Sequence, residues 1–416
     1  RLRASSRQQV LRLEYLNPRF RRYGEHQFAP LALSLQYQRD TTVTRFFRTT
    51  IDKGNFGIVQ RLNEEGKPID VNCSLPESEC EKAGEPTINR FTFNVETQRT
   101  LDLKTRSVVF LRYSYEDVRL YNINSLLIQD ILRPDRAVRL SRFGATFVRD
   151  TRDSQLDSTR GQFFNVDYSV AFRQLGGNIS FTKLLTNYRR YQRLPFRHAV
   201  FAGNVTLGLA RLFGARDRDG NGRVDEADTT LPISERFFTG GSTTLRGFGY
   251  EEAGPRAVAP TCYLTSPASP ACGLLRDSKG KQVKLNPFLI PIGGNAMAVT
   301  NIELRVPLTK LFQVVPFYDG GNVFRRAGEI FGRRDAAREA ELAQGLTDVQ
   351  RHNLRAQWTH TLGLGLRIKT PVGGAVAVDY GFLLNPPDFL VPQVADGPAT
   401  IRPKNSQLHF RFTQSF

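Results

Sequence analysis

Apolar and polar residues alternate along most of this chain with a period of two, the spacing of a strand with two unlike faces. Leu31, Leu33, Leu35 and Tyr37 fall on one face of a strand predicted over about 28–42. An earlier strand at about 8–16 alternates except where Val10 and Leu11 sit side by side, and a turn at Asn17-Pro18-Arg19-Phe20 follows. Further strands are predicted at about 88–100, 105–120, 139–150, 161–173, 178–192, 198–212, 294–306, 312–324, 355–369, 375–383 and 405–416. The last is the cleanest. Leu408, Phe410, Phe412 and Phe416 share one face, Gln407, His409, Arg411, Thr413 and Ser415 share the other, and Gln414 alone interrupts the apolar stripe.

The connections sort by length. Short ones fall at 17–27, 101–104, 151–160, 193–197, 307–311 and 370–374. Long ones fall at 43–87, 121–138, 213–293, 325–354 and 384–404, and only the tight Gly176-Gly177-Asn178 turn breaks the alternation. Antiparallel strands with short turns on one rim and long loops on the other predict an all-β, transmembrane antiparallel barrel. Each strand supplies the 9–11 or so residues that a tilted crossing needs. Closure also removes open edges, whose unpaired backbone groups lipid would penalise. A soluble sheet would expose the Phe stripe of the last strand as an aggregation hazard.

Composition agrees with this. Hydrophobic residues are 40% of 416, and 30 Phe and 13 Tyr stand against 1 Met and 1 Trp, a bias toward strands and aromatic girdles. No run of about 18 apolar residues offers a helical span. The net charge of +18 raises nucleic acid as a partner. The arginines, however, are dispersed along the alternating segments, which suits a lumen or lipid headgroups better.

Candidate chemistry lies mainly in the longest connection. Leu245-Arg246-Gly247-Phe248 places an arginine between an apolar residue and a Gly-Phe pair. Such a loop either folds back, with Arg246 seeking a carboxylate, Gly247 permitting the bend and Phe248 anchoring it, or is a surface turn with a solvated arginine. The alternation puts Glu303 on the face of Asn301 and Arg305, and Asp319 on the face of Phe317. Those two inward carboxylates are candidate partners for Arg246, with nearby lumen arginines as the alternative. Asp217, Asp219, Asn221, Arg223, Asp225 and Asp228 match positions 1, 3, 5, 7, 9 and 12 of a calcium loop with Gly222 at 6, so Ca2+ competes with a solvated acidic loop there. Cys73 with Cys80 and Cys262 with Cys272 form two close pairs in polar segments, read as local disulfides. No GxSxG, Walker loop or HExxH occurs, so an enzyme is not expected and no cofactor is required.

Several of these features together resemble the BamA superfamily of outer-membrane assembly factors, which includes two-partner secretion transporters. They are the LRGF tetrapeptide, Phe317-Tyr318-Asp319-Gly320-Gly321, the 293–299 segment GGNAMAV, the 149–161 segment RDTRDSQLDSTRG and the Phe-ended last strand. Leu245 stands where Val or Ile is usual. The resemblance implies a barrel domain over 1–416, with the extracellular loop 213–293 entering the lumen and Arg246 contacting Glu303 and Asp319. Phe317 and Gly321 carry the strand motif. Phe410, Phe412 and Phe416 carry the terminal signal. The family barrel has sixteen strands preceded by POTRA domains, against thirteen strands read here, so the first strands and those domains are expected to be missing. The implied function is insertion of β-barrel clients into the outer membrane, with lipids, accessory lipoproteins and periplasmic chaperones as partners. The alternatives are an exporter of polypeptides and a passive porin.

Overall fold

The computed structural model describes residues 2–4, 8–24, 27–40, 61–62, 68–69, 87–121, 137–155, 157–217, 222, 224, 226–259, 288–332, 346–369, 374–392 and 397–414. Fourteen strands form one antiparallel sheet in which each strand pairs with the next in sequence. They are β1 (Leu2–Ala4), β2 (Gln8–Arg22), β3 (Phe28–Asp40), β4 (Thr87–Asp102), β5 (Ser107–Tyr121), β6 (Ala137–Asp150) and β7 (Gly161–Ala171). After them come β8 (Phe181–Arg193), β9 (Val200–Leu212), β10 (Ala296–Pro307), β11 (Phe312–Phe324), β12 (Thr359–Lys369), β13 (Gly374–Leu383) and β14 (Ser406–Gln414). All thirteen expected strands are present, with the three-residue β1 added at the edge. Among the described residues β1 and β14 are the two ends of the sheet.

The expected turn at 17–27 is shorter than its sequence implies. β2 runs on to Arg22, and the pairing slips between Asn17, opposite Leu31, and Arg21, opposite Ala29. Pro18 has no N–H to give the ladder, and Asn17 Oδ1 accepts from the Arg19 backbone N (3.1 Å). The proline and asparagine therefore make a bulge instead of ending the strand. The chain reverses only after it, where Tyr23 N donates to Gln27 O (3.1 Å).

The two faces of the sheet differ as the alternation requires. Leu13 and Tyr15 on β2, Leu364 on β12 and Phe410 and Phe412 on β14 are each more than half exposed on the outer face. Such a belt is unfavourable in water and suited to lipid. On the inner face of β14, His409 and Arg411 instead contact the long loop. Phe416 lies outside the described residues.

Connections read as loops hold short elements. Between β9 and β10 lie a helical turn at Glu226–Thr229, a 3-10 turn at Ile233–Glu235 and a hairpin pairing Arg256–Ala259 with Phe288–Pro291. The 325–354 connection holds a helix at Asp348–Asn353, started by a capping box in which Thr347 and Gln350 satisfy one another. A hairpin of Phe389–Val391 with Ala399–Ile401 stands in the 384–404 connection.

The 151–160 turn on the short-connection rim is built around Asp153. Its carboxylate accepts from Thr159 Oγ1 (2.5 Å) and from the backbone N of Thr159 (2.9 Å), Ser154 (3.0 Å) and Arg160 (3.2 Å). Slight burial pushes Asp153 up, but these bonds outweigh it and hold the group at about 2. A depressed carboxyl contributes stability above its unfolded value near 3.9, and that contribution is lost as pH falls toward about 2. Amide protection in 153–155 and 157–160, with exchange taken relative to the intrinsic rate at each pH, is therefore expected to fall between about pH 4 and pH 2, and Asp153→Asn to lose that dependence; equal pH profiles would contradict the assignment.

Candidate functional site: a loop arginine inside the barrel

The long loop enters the sheet's inner face and is held there by an apolar cluster. Leu245 and Phe248, with Phe237 and Ala253 from the same loop, pack on Met297 and Val299 of β10, Val323 of β11 and Leu383 of β13. Leu245 and Phe248 thus wedge the motif on either side of its arginine. Gly247 is needed between them, because a Cβ there would collide with Thr361 Oγ1 of β12. Gly381 is needed on the wall, because a Cβ there would lie 2.5 Å from the Arg246 carbonyl oxygen.

Arg246 is buried, at 2% exposure, so each of its donors needs a partner. Nε donates to Asp319 Oδ2 (2.8 Å) and Nη2 to Asp319 Oδ1 (2.7 Å), a bidentate pair. The Arg246 backbone N also donates to Asp319 Oδ2 (3.0 Å). Nη1 donates to Glu303 Oε1 (2.8 Å) and lies 3.8 Å from Asp379 Oδ2. The guanidinium stacks on the Phe317 ring, with Cζ 3.4 Å from the centroid. Phe317 and Asp319, two apart on one face of β11, therefore receive the same arginine from below and from the side.

The wall around these groups is also built. Asn301 Nδ2 donates to Asp319 Oδ1 (2.7 Å) and to the Thr244 carbonyl (2.5 Å). Arg305 donates to Glu303 Oε2 (3.0 Å), and Arg367 Nη1 to Asp379 Oδ1 (2.5 Å). Three arginines (246, 305 and 367) thus surround three carboxylates (303, 319 and 379). Gly321 has φ of 140° and faces Val299 across the ladder, and a Cβ there would strike the Ala298 carbonyl. Gly363 of β12 leaves room for the Phe317 ring, which a Cβ would hit. Gly321 of the strand motif and Gly363 of the neighbouring strand thus let backbone and ring close around the arginine.

β14 holds the loop as well. His409 Nε2 is 2.9 Å from the Arg246 carbonyl oxygen, and Arg411 Nη1 donates to the Ser242 carbonyl (3.2 Å). The arrangement can hold a loop in one place and couple it to the end strand.

The structure brings together Arg246, Glu303, Asp319 and Phe317, all singled out from sequence. It adds Asp379 and Arg367, and it gives His409 and Arg411, which alternation places only on the polar face of the last strand, a part in holding the loop. Asp379 had a signal. It is the one charge in Ala375-Val376-Ala377-Val378-Asp379-Tyr380, on the face of Ala375 and Ala377. Of the candidate calcium ligands, Asp217 and Asp228 lie among the described residues. Asp217 Oδ2 accepts from Gly222 N (2.6 Å) and Asp228 is buried, but Asp219, Asn221, Arg223 and Asp225 lie outside the described residues. Cys73, Cys80, Cys262 and Cys272 lie outside them too.

The chain as a whole is similar to known proteins. Over 110 residues the chain is 27% identical to the outer membrane protein assembly factor BamA of Nitratidesulfovibrio vulgaris, covering 26% of this chain and 12% of that one. Over 167 residues it is 26% identical to a SAM50-like protein of Schizosaccharomyces pombe, covering 39% and 32% of the two chains. The chain thus matches less than a third of the length of these relatives. In three dimensions it is similar to BamA from Haemophilus ducreyi lacking POTRA domains 1–3, at a TM-score of 0.57 and 14% identity over 98% of this chain and 62% of that one. That likeness shows the barrel fold. Residues 1–416 match the Omp85 superfamily domain, and with its antiparallel sheet and lipid-facing apolar belt this chain belongs to that superfamily.

Proposed function

We propose that this protein inserts and folds β-barrel clients in the outer membrane. The protein is an integral outer-membrane β-barrel of a superfamily whose named relatives here include an assembly factor. The observation that carries the reading is the bond between loop and end strand. β14 holds Arg246 and Ser242 by their carbonyls, turns Phe410 and Phe412 toward lipid, and among the described residues pairs with β13 alone. A strand edge offers a row of backbone donors and acceptors to which a client strand can add. The infolded loop braces that strand from inside. No nucleotide or covalent step is required, because client strands gain stability by pairing in lipid. Unfolded barrel clients and membrane lipids are the partners in this reading, with lipoproteins and periplasmic chaperones as accessories.

The test uses the full-length protein in liposomes with a model barrel as client. Wild type is expected to speed formation of a folded, protease-resistant client. Arg246→Glu is expected to lose most of that gain, and Arg246→Glu with Asp319→Arg or Glu303→Arg to recover part of it. Assembly no faster than in empty liposomes would sink the reading. Release of a polypeptide through the lumen under the same conditions would favour the exporter, in which the loop serves as a plug. A large steady conductance indifferent to Arg246 would favour a porin.

A further inference from the structure

A second group of charges, its carboxylates Glu116 and Glu235 buried and its cations partly so, meets the same loop on a different wall, β4 to β8. Glu235 ends the Ile233–Glu235 turn and is buried. Its Oε2 accepts from Arg142 Nη1 (3.0 Å) and Lys183 Nζ (3.1 Å), and Lys183 also donates to the Glu235 carbonyl (2.8 Å). Arg142 reaches on to Glu116 Oε2 (3.4 Å), and Glu116 Oε1 lies 3.0 Å from Arg90 Nε. Arg90, Glu116, Arg142 and Lys183 stand on β4, β5, β6 and β8, and among the described residues the loop contributes Glu235. Without it, these three cations would face Glu116 alone in a largely enclosed setting, where unbalanced charge is costly. Burial would push the Glu235 carboxyl up, yet Lys183 and Arg142 beside it hold it below the usual carboxylate range, so it is an anion at neutral pH.

The residues around Glu235 are fixed to the barrel independently of its charge. Leu231 is fully buried with Val118 of β5, Val138 and Leu140 of β6, Ala171 of β7 and Phe181 of β8. Asn295 accepts from Leu231 N (2.9 Å) and donates to the Thr229 carbonyl (3.0 Å). Arg236 donates to the carbonyls of Leu231 (2.7 Å) and Ile292 (3.0 Å). The segment thus has its own apolar seat, distinct from the one under Leu245 and Phe248.

We propose that Glu235 is a second latch, a positioning residue that ties the head of the loop to the β4–β8 wall while Arg246, eleven residues on, ties its tip to the β10–β13 wall. The loop then braces two separate walls of the barrel from within. Without Glu235 the head of the loop would keep the apolar seat of Leu231 and the bonds of Asn295 and Arg236. With both latches, the β4–β8 wall is stiffened and the motif is held against β14. This goes beyond the assembly reading and is measured without a client, so either can fail alone.

The experiment is limited proteolysis from the outer side on the full-length protein in liposomes, with gel migration of unheated samples reporting barrel folding. Cleavage within 226–236 tracks how often that segment opens, and Glu235→Ala is expected to raise it about tenfold. Glu235→Gln, which keeps the shape and loses the charge, is expected to fall between. Lys183→Glu is expected to open the segment, and Lys183→Glu with Glu235→Lys to restore protection, which a merely space-filling residue would not do. Unchanged cleavage in a folded Glu235→Ala barrel would overturn the proposal. So would a double swap as open as Lys183→Glu. If Glu235→Ala does not fold, the Gln variant and the swap decide by the same criteria.

Discussion

Arg246→Ala is expected to lower the stability of the barrel by about 3–5 kcal/mol, the usual cost of removing one partner from a buried ion pair. The loss is large because Asp319 is fully buried and uses both oxygens on this one guanidinium. Without it, Asp319 retains Asn301 and the backbone N of residue 246 as donors, and neither neutralises the charge. Glu303 is less affected, because Arg305 donates to its other oxygen. Asp319→Asn should cost less than Arg246→Ala, since Glu303 and Asp379 would still face the arginine. Asp319→Asn combined with Arg246→Ala should cost less than the sum of the two. The check is the temperature at which the folded band converts to the unfolded one on a gel. A variant that melts with wild type would mean the pair is not buried in the working protein.

Gly321→Ala is expected to be the most damaging single methyl group on β11. At φ of 140° an alanine costs about 1–3 kcal/mol in backbone strain, and its Cβ would also strike the Ala298 carbonyl, which belongs to the β10 ladder. Backbone cannot step aside as a flexible side chain can. The pairing of Val299 with residue 321 would open, and with it the alignment of Asp319 two residues before. Gly332→Ala is the control. Its φ is 67° and nothing lies within 4 Å of the added methyl, so only the strain remains, about 1 kcal/mol. Gly363→Ala tests the arginine's seat, because its Cβ would meet the Phe317 ring that lies under Arg246. Equal melting of the Gly321 and Gly332 variants would remove the collision from the account.

The membrane strands were legible because a wall between lipid and lumen imposes a period of two that local sequence must obey. Alternation alone placed Glu303, Asp319 and Phe317 on the inner face, and Leu408, Phe410 and Phe412 on the outer one. Pro18 was misread as a turn, since proline removes a donor at a bulge as readily as at a strand end.

Local sequence thus dictated the strands, their faces and the type of charge each face presents. Alternation did not say which charges meet: family resemblance implied Arg246 with Glu303 and Asp319, whereas the approach of Asp379 to Arg246 and the Glu235 group appear only once the chain is folded. Arg246 and Asp319 are 73 residues apart, and Glu235 and Arg142 are 93 apart. No periodicity carries across such distances. The partners are chosen by where Leu245 with Phe248, and Leu231 on the other wall, find apolar seats, and by the glycines that let backbones approach. Burial then removes water as a competing partner, so each charge must be met by the groups that packing has placed beside it.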